Sequence, residues 1–569
     1  MQQIFKHKYW WIFLIVGFAA IIYLSSIIHS KIDLTAEKRF SISNATKDLL
    51  KNLDDKVEVQ VFLTGNLSSG FRKLEIATEE LLSSFRDESN GKLSYTFKRP
   101  GEGLSDTLKS MLYDSLLSIG VRPFNNELNR EEGEKTEQLI FPAAIIRYQG
   151  KLKVVDLMSG KSGADEESSL NYSEALLEFK FDDAIDKLIK KKFPIVAYAV
   201  GNGEPINPTV QDLVTTLSKN YRTGIFDLKK GILNADTIQA LVIVKPSLPF
   251  TEIDKIKIDQ YVMQGGKVLW FVDKLYAEFD SLLRSRSDFI AFDKNLELDD
   301  LLFKYGVRIN SDLAQDLSCA KQPLVIGNSG GQPQIERIPF PYYPLLMNPS
   351  GHPISRNLDH VLSIFPSSID TVKAEGIKKT ILLSTDTSSR TISSPNIVTL
   401  QSIKSENDLR YFNKSYLPVA VLLEGKFKSL YANRFTQAMK DTVKNYTGID
   451  FLISGAKESK QIIVSDGDLV TNVVTQSQGA LTMGTQQFEN YQFANKEFLL
   501  NCLDYLVGNA AIIETRNKDF TLRLLDKTKV REQKTMWQLF NVIIPVLLVF
   551  IFTLTLQYQR RKKFTSSSN

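Results

Sequence analysis

The stretch Tyr261–Asp273, "YVMQGGKVLWFVD", changes character in its middle. Up to Gln264 it closes a helical pattern that begins at Glu252, Gly265-Gly266 interrupts that pattern, and Lys267–Asp273 then runs almost without a polar residue. A short apolar run after a helix and a glycine turn is the signature of a strand covered on both faces, as in a parallel sheet. Three further runs match it: "PIVAYAV" (194–200), "ALVIVKP" (240–246) and "QIIVSDGD" (461–468). With intervening helical stretches such as Thr209–Tyr221, they predict an open α/β domain that starts at 193 and first runs to 294. The fourth run comes only after a long gap. Segment 295–457, rich in proline and β patterning, is therefore expected to be an insertion or a lobe of its own, and 458–512 the second part of the α/β domain.

Before this domain the order of elements differs. "VEVQVFL" (57–63) reads as a strand, and Phe71, Leu74, Thr78, Leu81 and Phe85 recur at helical steps. "LSYTFK" (93–98) alternates as a strand, and Leu104, Leu108, Met111 and Ser115 trace another helix. "LIFPAAIIRYQGKLKVVDLM" (139–158) reads as two strands joined at Gln149-Gly150, and Ser173–Lys191 supplies a closing helix. The order βαβαββα over 31–192 is that of a thioredoxin-like domain. Pro142 stands before the third strand, where thioredoxins often carry a cis proline. The first strand, however, leads into "TGNLSSGF" (64–71), which has no cysteine. The scaffold is expected without its dithiol chemistry, in a structural or binding role.

The ends carry a different signal. Tyr9–Ile28 holds no charge and is long enough, at about 1.5 Å per residue, to span a hydrocarbon core of roughly 30 Å. "IIHSKIDL" (27–34) makes a poor cleavage site, so 1–30 reads as an uncleaved anchor rather than a signal peptide. Met536–Leu556, within a helix expected over 536–557, is a second uncharged run, with Trp537 placed as an interfacial aromatic and Pro545 positioned to kink it. Two spans put both ends on one side. Lys6 and Lys8, and Arg560, Arg561, Lys562 and Lys563 of the tail 558–569, favour the cytoplasm for those ends. Lys527, Lys529, Arg531 and Lys534 weigh on the other flank but are diluted by Asp526 and Glu532. The body is then extracytoplasmic. In the stalk 513–535, Leu522, Leu525 and Thr528 are spaced for one helical face.

Composition excludes several classes. The 569 residues are 43% hydrophobic and 24% charged, which is ordinary for a chain of two to four domains and argues against disorder. A net charge of +5 from 70 basic and 65 acidic residues, with no long basic run among aromatics, makes nucleic acid an unexpected partner. The two cysteines, Cys319 and Cys502, form no C-x-x-C, so redox and metal-ribbon chemistry lack support. Cys502 reads as a small core residue.

Catalytic motifs fail on their surroundings. Gly-Asn-Ser-Gly-Gly around Ser329 looks like a nucleophile loop, but Pro333, Pro339, Pro341 and Pro344 forbid the helix that such an elbow requires. Asp359 and His360 adjoin in sequence, a poor arrangement for orienting an imidazole. A turn between two strands accounts for Ser329 better. Gly160-Lys161-Ser162 imitates a phosphate loop, yet Val155 occupies the place of its first glycine. An amidotransferase-type activity needs a cysteine after a strand, where this chain has Asp273-Lys274-Leu275. His352 and His360, with Asp359, match no familiar zinc spacing. Neither a cofactor nor a metal is expected.

The parallel strands ending in "GNGE" and "SDGD", the opening stretch itself, the segment "YYPLLMNPSGHPISRNLDHV" (342–361), the segment "LRLLDKTKVREQKTMWQLFNVIIP" (522–545) and the double anchor together resemble the GldG family. These are gliding-motility-associated ABC-transporter auxiliary (substrate-binding-like) proteins of Bacteroidota, and the likeness covers essentially the whole chain. The resemblance implies a glutamine-amidotransferase-like α/β part, similar also to the amino-terminal part of an intraflagellar-transport subunit. It further implies an inner-membrane protein that partners a permease and, through it, a separate cytoplasmic ATPase, in gliding and cell-surface protein traffic. Trp537, Gln538, Asn541 and Pro545 would then be the permease contacts, since polar residues suit a helix packed on protein rather than lipid.

One constellation remains. Ligands of open α/β sheets sit beyond the carboxyl ends of the strands, where this chain places Glu204, Asp273, Asp466 and Asp468. If these converge they could hold a divalent cation or a basic partner segment; otherwise each acid caps a turn. Two functions thus stand. One is a noncatalytic transporter component that also meets an envelope protein or substrate; the other is a periplasmic carbohydrate- or peptide-binding, or vestigial enzymatic, domain.

Overall fold

The computed structural model describes residues 15–18 and 41–565, apart from 130–134, 159–165, 191, 280, 283–287, 330–331, 401, 404, 487–490, 509 and 518–526. It comprises two compact units, Met1–Asp519 and Phe520–Asn569. The first opens with α1 (Asn44–Lys51), capped by the Ser43 hydroxyl, which accepts from the Thr46 N–H. There follow β1 (Val57–Val61), α2 (Ser69–Glu88), β2 (Leu93–Phe97), α3 (Asp106–Ser118), β3 (Phe124–Asn129), β4 (Lys135–Ile140), β5 (Ala143–Tyr148), β6 (Lys151–Asp156) and α4 (Glu166–Ile189). Four of these strands form a sheet in the order β2-β1-β5-β6. β1 and β2 run parallel, and the other neighbours are antiparallel. The β5–β6 turn falls at Gln149 (φ 48°) and Gly150 (φ 76°), the left-handed pair that a two-residue type I′ hairpin requires. β3 and β4 make a separate hairpin that no periodicity in the sequence announces.

Helices α1, α2 and α4 share one core, with Phe71, Leu74, Phe85 and Phe181 fully buried. Phe85 meets Phe181 edge to face at 6.4 Å. On another core, α3 sets Leu116 against Phe62, Phe141 and Ile145. The stripe that traced α3 in the sequence faces outward instead: Leu104, Leu108 and Met111 are exposed. Leu112 and Leu116, one turn apart, supply a second apolar face, and that is the one the core takes. The cis peptide bond among the described residues is Ser394–Pro395, not the bond before Pro142.

The larger sheet is built from β7 (Ile195–Val200), β8 (Arg222–Asp227), β9 (Ala240–Val244) and β10 (Lys267–Phe271), joined by β13 (Ile377–Ser384), β14 (Pro418–Gly425) and β15 (Ser459–Val464). Two strands between, β11 (Cys319–Ser329) and β12 (Gln332–Leu346), form a long hairpin outside it. The sheet order is β13-β14-β15-β10-β9-β7-β8; β7 to β10 and β15 are mutually parallel, and β14 runs antiparallel to both its neighbours, β13 and β15. Segment 295–457 is thus no separate lobe, since two of its strands extend the main sheet. Side chains of alternating parity bury on opposite faces. Val242 and Leu269 pack with α5 (Gln211–Asn220) and α9 (Asn495–Val507), and Ile243 and Trp270 with α6 (Glu252–Met263) and α7 (Asp299–Tyr305).

The junction in the opening stretch is sterically determined. The Thr251 hydroxyl accepts from the Asp254 N–H while the Asp254 carboxylate accepts from the Thr251 N–H, a reciprocal cap that starts α6. Gly265 ends it at φ +93°, and a Cβ on Gly266 would lie 2.4 Å from the Tyr261 ring. Cys502, fully buried on α9, forms no disulfide, and burial pushes its thiol well up.

The chain then returns to the first domain. α10 (Ala510–Glu514) places Ile512, the last residue of the segment expected as the second part of the α/β domain, in the core of α1, α2 and α4. A polar seam runs beside it. Lys187 of α4 bonds Asp183 (2.7 Å) and Asp504 of α9 (3.0 Å), and the Tyr221 hydroxyl donates to Asp504 (2.5 Å). Arg516 donates to Asn501 (2.6 Å) and to the Asn357 carbonyl (3.0 Å), its guanidinium 4.8 Å from the Phe179 ring.

The second unit is one helix, α11 (Lys527–Thr565), with Pro545 inside it. Within it Gln533–Gln559 is long and apolar enough to cross a membrane, the one such helix among the described residues. Leu522, Leu525 and most of Tyr9–Ile28 lie outside the described residues; residues 15–18 are helical.

Ile512→Ala removes a fully packed side chain from the amino-terminal core and is expected to cost about 2 to 5 kcal/mol. Urea unfolding followed by circular dichroism measures it; a change below about 0.5 kcal/mol would mean that α10 merely rests on the surface.

Candidate functional site

The carboxyl ends of β9, β10 and β15 lie side by side, and the residues that follow them are polar because the sheet interior has ended. β10 leads into Asp273, β15 into Ser465, Asp466, Gly467 and Asp468, and β9 into Lys245. Asp273, Asp466 and Asp468 place one carboxylate oxygen each within 4.8 Å of the others. Glu204, after β7, does not join them. Its carboxylate accepts from the Asn202 N–H at 2.8 Å, and its other oxygen is buried without a hydrogen-bond partner. Burial raises the Glu204 carboxyl above the usual range.

Two lysines balance the three aspartates. Lys245 bonds Asp468 at 2.5 Å and lies 3.9 Å from Asp273 and 3.6 Å from Glu278, while Lys294 donates to Asp273 at 3.2 Å. Asp273 also accepts from the Gly467 N–H at 2.5 Å. Gly467 is required here: a Cβ on it would stand 2.9 Å from the Lys245 side chain and 3.0 Å from the Asp273 carboxylate. Lys245 sits at φ 47°, a left-handed turn that brings it back across the strand ends.

Asp466 is different in kind. It accepts from the Ser363 hydroxyl (2.5 Å), the Ile364 N–H (2.8 Å) and the Asp468 N–H (2.8 Å), and among the described residues no lysine bonds it. Complete burial, then the neighbouring Asp273 and Asp468 charges, push its carboxyl up to about 8. The lysines beside Asp273 hold that carboxyl below its usual range despite its own burial. Asp273 and Asp468 thus meet the two lysines, burial also raising the Asp468 carboxyl, while Asp466 stands apart as a neutral acid. Where a divalent ion would take its oxygen ligands, the Lys245 and Lys294 side chains already stand.

The remaining sequence candidates stay apart. Ser329 pairs with Gln332 across the β11–β12 hairpin, as a turn between strands requires. His352 accepts from the Ile354 N–H through Nδ1 (3.2 Å) and packs edge to face on Tyr505; burial pushes its ring down to about 4, so it is neutral. Asp359 takes the Tyr491 hydroxyl. Gly160-Lys161-Ser162 lies outside the described residues. On α11, Trp537 donates to Gln533 at 3.3 Å and stacks with Phe540 at 6.2 Å, on the same helix as Gln538, Asn541 and Pro545. Sequence reasoning missed both lysines. Lys245 was legible as the first polar residue after "ALVIV", whereas Lys294 carries no pattern.

A mixed α/β body, with a helix fit to cross a membrane, defines a class of membrane-associated proteins. The family described as an ABC-type uncharacterized transport system matches residues 194–502, more than half of the 569, and the chain belongs to it. It is therefore a transporter-associated component. A second family, of unknown function, matches residues 36–147. An uncharacterized protein of Borreliella burgdorferi is 23% identical over 453 residues, 77% of this chain and 81% of that protein. Among solved structures, the mmIFT52 N-terminal domain is 11% identical with a TM-score of 0.29, covering 55% of this chain and 98% of that one. A putative ThuA-like protein from Parabacteroides merdae is 10% identical with a TM-score of 0.25, covering 56% and 91%.

Two expectations follow. Lys245→Met strands buried carboxylates and should cost about 3 to 5 kcal/mol, part of which Asp468→Asn in the same chain restores; denaturant titration of the single and double variants reads both. The second concerns pH. Asp466 is raised in the folded state from about 3.9 in the unfolded chain, so folding retains a proton that unfolding releases. Its contribution is complete below about pH 4 and declines as pH rises toward about 8. Asp466→Asn should lack that decline, read as the difference in urea midpoints between the two proteins from pH 4 to 8; parallel midpoints would refute it.

Proposed function

We propose that the protein is a noncatalytic, extracytoplasmic component of an ABC transporter of the gliding-motility-associated GldG kind, serving cell-surface protein traffic. Two membrane helices hold it with both ends in the cytoplasm. Trp537, Gln538, Asn541 and Pro545 contact the permease, and a separate cytoplasmic ATPase drives motion that the body receives. The match of 194–502 to the transport-system family carries this reading, with the Gln533–Gln559 helix in support. The amino-terminal domain serves as a thioredoxin-like scaffold without dithiol chemistry. Supporting that part are the sheet order β2-β1-β5-β6, with only β1 and β2 parallel, and the absence of cysteine after β1. The noncatalytic role rests on the strand-end cluster, whose carboxylates are engaged by the chain's own lysines and amides.

Purification through a tag in mild detergent, followed by mass spectrometry, is expected to recover a multispanning permease and an ATPase in fixed proportion. Replacing 536–556 with polyleucine should keep the chain in the membrane but release both partners. Recovery of the unaltered chain alone, from membranes that contain the other subunits, would refute the assignment.

A further inference from the structure

The sheet has two edges, and among the described residues only one is protected. At β13, register shifts interrupt the ladder beyond Ile381, and Ser384 exchanges backbone hydrogen bonds with Met347 (2.9 and 3.0 Å). β8 has neither device and, among the described residues, pairs only with β7, in an unbroken register from Arg222 to Asp227. The Arg222 N–H donates to Pro194 (3.2 Å) and the Leu228 N–H to Val200 (2.8 Å), so the even-numbered residues face β7. By the period of two, the N–H and C=O groups of Thr223 and Ile225 point out of the sheet, a ready template for another strand.

Beside this edge, between β8 and α5, lies a groove of about 460 Å³ lined by Tyr198, Pro205, Ile206, Val214, Thr223 and Ile225. Ile206 is 78% exposed and Ile225 72%, an apolar surface that water covers poorly. The charge along the edge is one-sided. Lys219 stands before the strand, Arg222 opens it, and Lys229 and Lys230 follow it, all exposed, with Lys229 paired to Asp254. Asp227, the acid of the strand, is already taken by Lys230 at 3.1 Å, whereas Lys219 and Arg222 make no ion pair among the described residues.

We propose that β8 is a docking edge for an extended acidic segment of another polypeptide. The segment adds as an eighth strand, sets alternate apolar side chains in the groove and brings carboxylates to Lys219 and Arg222. A second copy of this chain is a poor occupant, because pairing β8 with β8 would oppose two basic edges. The site lies away from the strand-end carboxylates and does not depend on the transporter assignment.

The probe is a dye-labelled synthetic octapeptide with valine alternating with threonine between acidic ends, titrated by fluorescence anisotropy against the full chain in detergent. A counterpart with lysine ends serves as control. Ile225→Pro removes an outward N–H that β7 does not use, a change that edge strands tolerate. It should weaken binding at least about tenfold while the melting transition stays in place. Lys219→Glu with Arg222→Glu, a surface change, should abolish binding of the acidic peptide and favour the lysine-ended one. Equal affinity for both peptides, or binding indifferent to the charge reversal, overturns the proposal. So does a dimer of the chain that Ile225→Pro dissociates, with no peptide bound.

Discussion

Burial of the central strands on both faces is the constraint from which the rest follows. All five residues of β9 are fully buried, as are Val268, Leu269, Trp270 and Phe271 of β10. Neither face can meet water, so α5 and α9 must cover one and α6 and α7 the other. Each fully buried aliphatic side chain contributes about 1.5 to 3 kcal/mol relative to an exposed one, which outweighs the helix propensity of a segment such as Glu252–Met263. The polar residues that such strands cannot carry accumulate at their ends.

Those ends show what burial does to charge. Three carboxyl groups within 4.8 Å would repel strongly if all were ionised. Lys245 and Lys294 neutralise two, and the third, Asp466, is stabilised as the acid among neutral donors. Removing either lysine, Asp273 or Asp468 leaves a charge unbalanced, so the cluster ties β9, β10 and β15 together at the edge where related sheets hold ligands.

Legibility in the sequence followed burial. β7, β9, β10 and β15 announce themselves as unbroken apolar runs, and the convergence of Asp273, Asp466 and Asp468 was foreseeable from their common place after such runs. β8, "RTGIFD", was not, because an exposed edge strand carries no such pattern. The placement of 295–457 misled for another reason. β13 joins the sheet through antiparallel pairing with β14, and β14 through antiparallel pairing with β15, so nothing within the segment itself reports that it continues the sheet begun by β7 to β10. Glu204 shares the strand-end position of the aspartates but follows β7, which β9 separates from β10, a separation set by sheet order rather than by motif.

The same topology determines how the body is joined. The chain enters through α1 and leaves through α10, which packs on the amino-terminal core, so both connections arrive at one domain. That domain meets the large sheet across the seam of Lys187, Asp504, Tyr221, Asn501 and Arg516. Tyr221 immediately precedes β8, and Asn220 beside it accepts from Lys153 of β6 at 3.3 Å. Charged, buried contacts of this kind hold position firmly, because separating them leaves buried ions unpaired. The exposed edge strand is therefore fastened at its start to the interface between the amino-terminal domain and the large sheet.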